Sequence, residues 1–202
     1  MGAAFLEDSD LKNWEKDLPS GYREAMVIDA RDDKKLVRRM GLAALVLFAL
    51  FLWLGIATQW RGLTAQKPST TMAAGFFVVL IAYIVLHELV HGAAYKLLTG
   101  QKLTFGLTLS VAFCGVPEIY VYRRASLIAV LSPFVVFTIL SLVLLAVLPN
   151  PWLRFYVLLF LGLHIGGCSG DLYNTWLYLT RFKDPRTLTR DTGPVQTFYI
   201  PE

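Results

Sequence analysis

Long apolar runs alternate with short polar breaks along the chain, and the run lengths predict four membrane-length helices. Residues 40–60 (MGLAALVLFALFLWLGIATQW) would rise about 30 Å as a helix, enough to cross a hydrocarbon core. Residues 71–100 predict a second span. Residues 125–149 predict a third, kinked near Pro133, whose ring removes a backbone donor. Residues 151–180 predict a fourth, opened by Asn150-Pro151. Between the second and third spans the period changes from helical to two. Leu103, Phe105, Leu107, Leu109, Val111 and Phe113 alternate with polar or small residues, which predicts a strand over 103–113. Cys114-Gly115-Val116-Pro117-Glu118 reads as a turn and Ile119–Tyr122 as the return strand. The expected fold is therefore an all-α membrane protein with four transmembrane helices and a β-hairpin between the second and third. Residues 1–39 and 181–202 are polar and mixed in sign. They are expected to be a solvated cytoplasmic juxtamembrane segment and a cytoplasmic tail, on either side of a four-span domain at 40–180.

Composition and charge give this picture a direction. The chain is 55% hydrophobic with a mean hydropathy of +0.53, too apolar for an ordinary soluble domain of 202 residues. Between Met40 and Phe182 only Glu88, Glu118 and Asp171 are acidic, and all three histidines lie there. The net charge of +4 does not point to nucleic acid, because no basic face interleaves with stacking aromatics. Arg31, Lys34, Lys35, Arg38 and Arg39 precede the first span; Lys96, Lys102, Arg123 and Arg124 flank the hairpin. Arg181, Lys183, Arg186 and Arg190 follow the fourth span, whereas the opposite loops carry Arg61, Lys67 and Arg154. Positive residues mark the cytoplasmic side, so both termini are expected inside a cell membrane crossed four times. His87, late in span two, and Asp171, late in span four, then lie at the same depth. Cys114 and Cys168 are too few for a disulfide framework and read as small buried residues.

His87-Glu88-Leu89-Val90-His91 carries the chemistry. Two histidines at i and i+4 share one helix face and can hold Zn²⁺ together, and the glutamate beside the first can take a proton from water. Each ionisable group inside lipid costs about 2.5–3.5 kcal/mol unless something offsets it, and a shared cation would. A catalytic zinc needs a third protein ligand. Asp171 suits the depth best, with Glu118 and His164 as the other candidates. Gly162, Gly166 and Gly170 form a small-residue stripe for close helix approach, and Asp171 shares the adjoining face with His164 and Asn174. His164, two turns away, suits a hydrogen-bonding role or the access path. Asn174 is a candidate for binding substrate or the oxyanion.

These residues resemble the core of the site-2 proteases, and more closely a set of small bacterial membrane zincin peptidases long catalogued as a domain of unknown function. The likeness runs roughly from Ala73 to Leu179: HELVHG, then FGLTLSVAFCGVPEIYVYRR, LSPF and GDLYN. It implies zinc held by His87, His91 and Asp171, with Glu88 as general base, in a bacterial cytoplasmic membrane. Ser169-Gly170-Asp171 departs from the Leu-Asp-Gly of site-2 proteases, and no PDZ-like module interrupts the chain, so substrate and regulation do not transfer. The expected activity is a zinc metalloendopeptidase cutting membrane-inserted or juxtamembrane peptides. The rival is a membrane regulatory protein that holds zinc without hydrolysis. A di-iron site is disfavoured because it needs a second Glu-x-x-His and further carboxylates.

Overall fold

The computed structural model describes residues 12–67, 69–107 and 112–202. Five helices occur among them: α1 (Lys34–Ala65), α2 (Thr70–Thr99), α3 (Arg123–Val147), α4 (Pro151–Gly167) and α5 (Ser169–Thr180). Of these, α1, α2 and α3 are each long and apolar enough to cross a membrane, and α4 with α5 would make a fourth span if counted together. They do not form one straight helix as expected, because the axis bends by 51° at Cys168. Gly166, Gly167 and Gly170 cluster at the bend, and glycine is a poor helix former that removes side-chain support from the backbone. Asp171 consequently sits in the first turn of α5, where the helix dipole favours a carboxylate.

The all-α expectation is wrong. Seven strands accompany the helices among the described residues. Five form an antiparallel sheet: β1 (Trp14–Glu15), β2 (Tyr22–Asp29), β5 (Tyr120–Tyr122), β6 (Leu188–Asp191) and β7 (Val195–Pro201), in the order β1-β5-β6-β7-β2. The stretches expected to be solvated supply four of them. Val195, Thr197, Phe198, Tyr199 and Ile200 are strand-favouring types, and Thr192-Gly193 turns the chain back, with Gly193 at φ +96. The remaining two strands are β3 (Thr104–Leu107) and β4 (Ala112–Gly115). The hairpin therefore closes earlier than its alternation suggested: Phe105 faces Cys114 and Leu107 faces Ala112. Residues 108–111 lie outside the described residues, as do 1–11. The expected return strand, Ile119–Tyr122, is β5 at Tyr120–Tyr122, and it pairs instead with β1 and β6, after a turn at Val116–Ile119.

By packing the chain divides into two units. One comprises Lys35–His87 and Ser132–Tyr173. Here Asn150 caps α4, its side chain accepting from the amides of Trp152 and Leu153. A Cβ on Gly162 would stand 2.7 Å from Phe51, and one on Gly166 would stand 2.9 Å from Ala44. The glycine stripe thus seats α4 against α1, while Gly170 meets nothing within 4 Å. Large side chains such as Phe77, Val78, Ile81 and Leu142 are exposed, a pattern that suits a lipid surround rather than water.

The other unit comprises the described part of Met1–Lys34, with Glu88–Leu131 and Asn174–Glu202. Tyr95, Val116, Ile119, Val121, Ala125 and Ala129 form its core cluster. Phe198 of β7 stacks on Phe182, with ring centroids 4.5 Å apart. Arg123 donates to the carbonyls of Tyr178 and Phe182, fixing the end of α5 to the start of α3. Asp191 is buried and accepts from the Tyr95 hydroxyl (2.8 Å), the Gly193 amide (2.8 Å) and Gln196 (3.2 Å). Burial outweighs these bonds and pushes its carboxyl up to about 6. Unfolded, it titrates near 3.9, so between about pH 4 and 6 the folded state binds the extra proton and stability falls as pH rises. The gap corresponds to about 3 kcal/mol. Asp191→Asn should flatten the thermal midpoint across that window, measured by unfolding at a series of pH values.

Candidate metal centre

α2 carries His87 and His91 one turn apart, with Glu88 directly after the first, as HELVH predicts. Both imidazoles are buried, and Glu88 is half-buried. His87 Nε2 lies 3.3 Å from Asp171 Oδ2. The ligand-type atoms of His87 and His91, and those of His87 and Asp171, come within 4.8 Å. His87 is thus the common member of both pairs.

Hydrogen bonds fix which nitrogen of His87 carries the proton. His164 is fully buried, and its Nε2 faces the Phe134 carbonyl at 3.3 Å and the Thr138 hydroxyl at 3.3 Å. A carbonyl only accepts, so His164 Nε2 carries hydrogen and Nδ1 the lone pair. That lone pair accepts the Tyr83 hydroxyl proton at 2.8 Å. The Tyr83 oxygen in turn accepts Nδ1–H of His87 at 3.0 Å. The His87 lone pair is left on Nε2, aimed at the Asp171 carboxylate. Two accepting atoms at that distance repel unless a cation, proton or metal, lies between them. His91 obeys the same logic: its Nδ1 lies 2.8 Å from the Ala129 carbonyl, so Nδ1 donates and Nε2 carries the lone pair. Two imidazoles with Nδ1–H tied and Nε2 directed at ligand, beside a carboxylate, are the donor set and outer shell that zinc takes.

Tyr83 and Ala129 were not evident in the sequence. Tyr83 sits one turn before His87, a spacing that hints at contact, but a tyrosine in an apolar run reads first as a wall residue. His164 acts as a hydrogen-bonding residue. It also comes within 4.8 Å of His87 and Cys168 in ligand-type atoms, yet both its ring nitrogens are already engaged by Tyr83, Thr138 and Phe134. Glu118 is exposed in the turn before β5. Asn174 lies one turn beyond Asp171 on α5, buried, and its Oδ1 has no hydrogen-bond partner among the described residues. A buried amide oxygen in that state leaves capacity for a donor such as a peptide N–H.

The hairpin stands next to this helix for a local reason. A Cβ on Gly92 would fall 2.6 Å from Phe105 and 3.2 Å from Leu103, so the glycine of HELVHG gives β3 its seat. Across the hairpin, burial and then the charges of Asp191 and Glu88 push the Cys114 thiol up to about 12. That thiol stays protonated and inert. Both cysteines are free.

One family model, described as "Putative zincin peptidase", matches residues 80–185, more than half of the chain. No curated protein and no solved structure matches.

Proposed function

The chain belongs to this zincin peptidase family, and from that premise we propose that it is an intramembrane zinc metalloendopeptidase, acting on membrane-inserted or juxtamembrane peptides. The assigned zinc ligands are His87, His91 and Asp171, and Glu88 is the general base. The observation that carries the assignment is the directed pair of imidazole lone pairs beside a carboxylate. When bound, zinc supplies Lewis acidity that polarises a peptide carbonyl and acidifies the attacking water. Glu88 accepts the proton of that water and hands it to the leaving amine. Asn174 holds the substrate backbone or the developing oxyanion through an amide with spare bonding capacity. Strand β3, with Phe105 and Leu107 exposed, offers an edge on which an extended substrate can add as a strand. Substrate bonds are thus presented unwound, as hydrolysis requires.

Three helices suited to a bilayer and the distribution of arginine and lysine support a multi-pass cell-membrane protein with both termini cytoplasmic. Elemental analysis of purified protein tests the metal assignment. Wild type is expected to hold stoichiometric zinc, and His87→Ala and Asp171→Ala each to lose it. Full zinc in both variants would remove these residues from the ligand set.

A further inference from the structure

Pro133 stands inside α3 and is fully buried. An internal proline costs a helix about 3 kcal/mol, because its nitrogen has no hydrogen and its ring crowds the preceding turn. The missing hydrogen is the one that the carbonyl four residues earlier would have received. That carbonyl belongs to Ala129, a residue with no exposed surface and therefore no access to water. A buried carbonyl in this position needs another donor. It has one: His91 Nδ1, at 2.8 Å.

We propose that Pro133 is a positioning residue for the metal centre, withholding one amide hydrogen so that the Ala129 carbonyl is reserved for His91. The reserved bond keeps His91 as the Nδ1–H tautomer and turns Nε2 towards the cation. With alanine at 133, the restored amide competes for the same oxygen along the helix axis. The ring then shares the partner that selects its tautomer, and the selection weakens. A proline present only to bend α3 would not have this effect. The proposal rests on the assignment of His91 as a zinc ligand, but its first readout does not need the metal.

The chain has only three histidines, so nitrogen-15-labelled histidine gives a readable spectrum of the full-length protein in detergent micelles. In metal-free wild type, His91 should show a protonated Nδ1 and an unprotonated Nε2. In Pro133→Ala the two His91 tautomers should mix, while the His164 signals stay in place as a control on folding. Zinc affinity, measured by competition with a chromophoric chelator, should fall about 10- to 100-fold, the usual effect of losing an outer-shell partner. Val136→Ala, an exposed position on the same helix, should change neither. The inference is overturned if wild-type His91 carries its proton on Nε2, or if folded Pro133→Ala keeps the single tautomer and the wild-type affinity. Absence of zinc binding in wild type would instead remove the metal assignment, and the tautomer measurement would still decide the role of Pro133.

Discussion

Glu88→Gln is expected to retain zinc and to lose about 100- to 10,000-fold of turnover, the contribution of a well-placed general base. Glutamine has nearly the shape of glutamate and can still hydrogen-bond, but it does not accept a proton at neutral pH. Because the proposed ligands are His87, His91 and Asp171, metal content should not change. This separates the two classes of function the sequence allows. A regulatory protein that only holds zinc would tolerate the change in its biological assay, whereas a peptidase would not. Hydrolysis of a labelled membrane peptide, with metal content measured on the same samples, reads both quantities. Unchanged turnover at full zinc would remove Glu88 from the chemistry.

The motif was legible because its chemistry is local. HELVH fixes the relation of three side chains by helix geometry alone, and Asp171 stands out as one of three acids in a long apolar region. What the sequence concealed is the layer behind the ligands. Tyr83 and His164 are far apart in the chain, and their bond depends on how helices pack rather than on spacing. Ala129 acts through its backbone, so no side-chain pattern could have flagged it. The proline four residues later was visible in the sequence, but its relation to a histidine on another helix was not.

Deleting Leu188–Glu202 should dismantle the sheet rather than trim an end. β6 and β7 are interior strands, with β5 and β2 on either side of them, so their loss leaves β2 without its partner. The deletion also removes the Asp191 bond to Tyr95 and the stack of Phe198 on Phe182. Truncating one buried aromatic alone costs about 3–5 kcal/mol. Residues 13–29 are expected to become protease-sensitive in the truncated protein and to stay protected in the full chain. Equal protection in both would refute a structural role for the tail.

The ends of the chain misled the sequence reading for an identifiable reason. Mixed charges at 1–39 and 181–202 suggest solvated segments, but a strand carries charge wherever its side chains reach the surface and can still bury the residues beside them. Arg23 and Glu24 on β2 and Arg190 on β6 are exposed, while Leu188, Thr189 and Phe198 are buried. The β-branched and aromatic run at 195–200 was the better signal. Likewise, the alternation at 103–113 suggested one strand where the structure has β3 and the start of β4 paired with each other, and the expected return strand pairs instead with segments distant in sequence.

The strand order also constrains biogenesis. A ribosome delivers β1, β2 and β5 first, yet none of the described strands places β2 beside them until β7 arrives. Residues 188–201 complete the layer: β1 pairs with β5 directly, but β2 joins them only once β6 and β7 have been made. A nascent chain stalled before Leu188 would carry all four apolar runs and the complete HELVH motif, but not the scaffold that braces α2 through Tyr95.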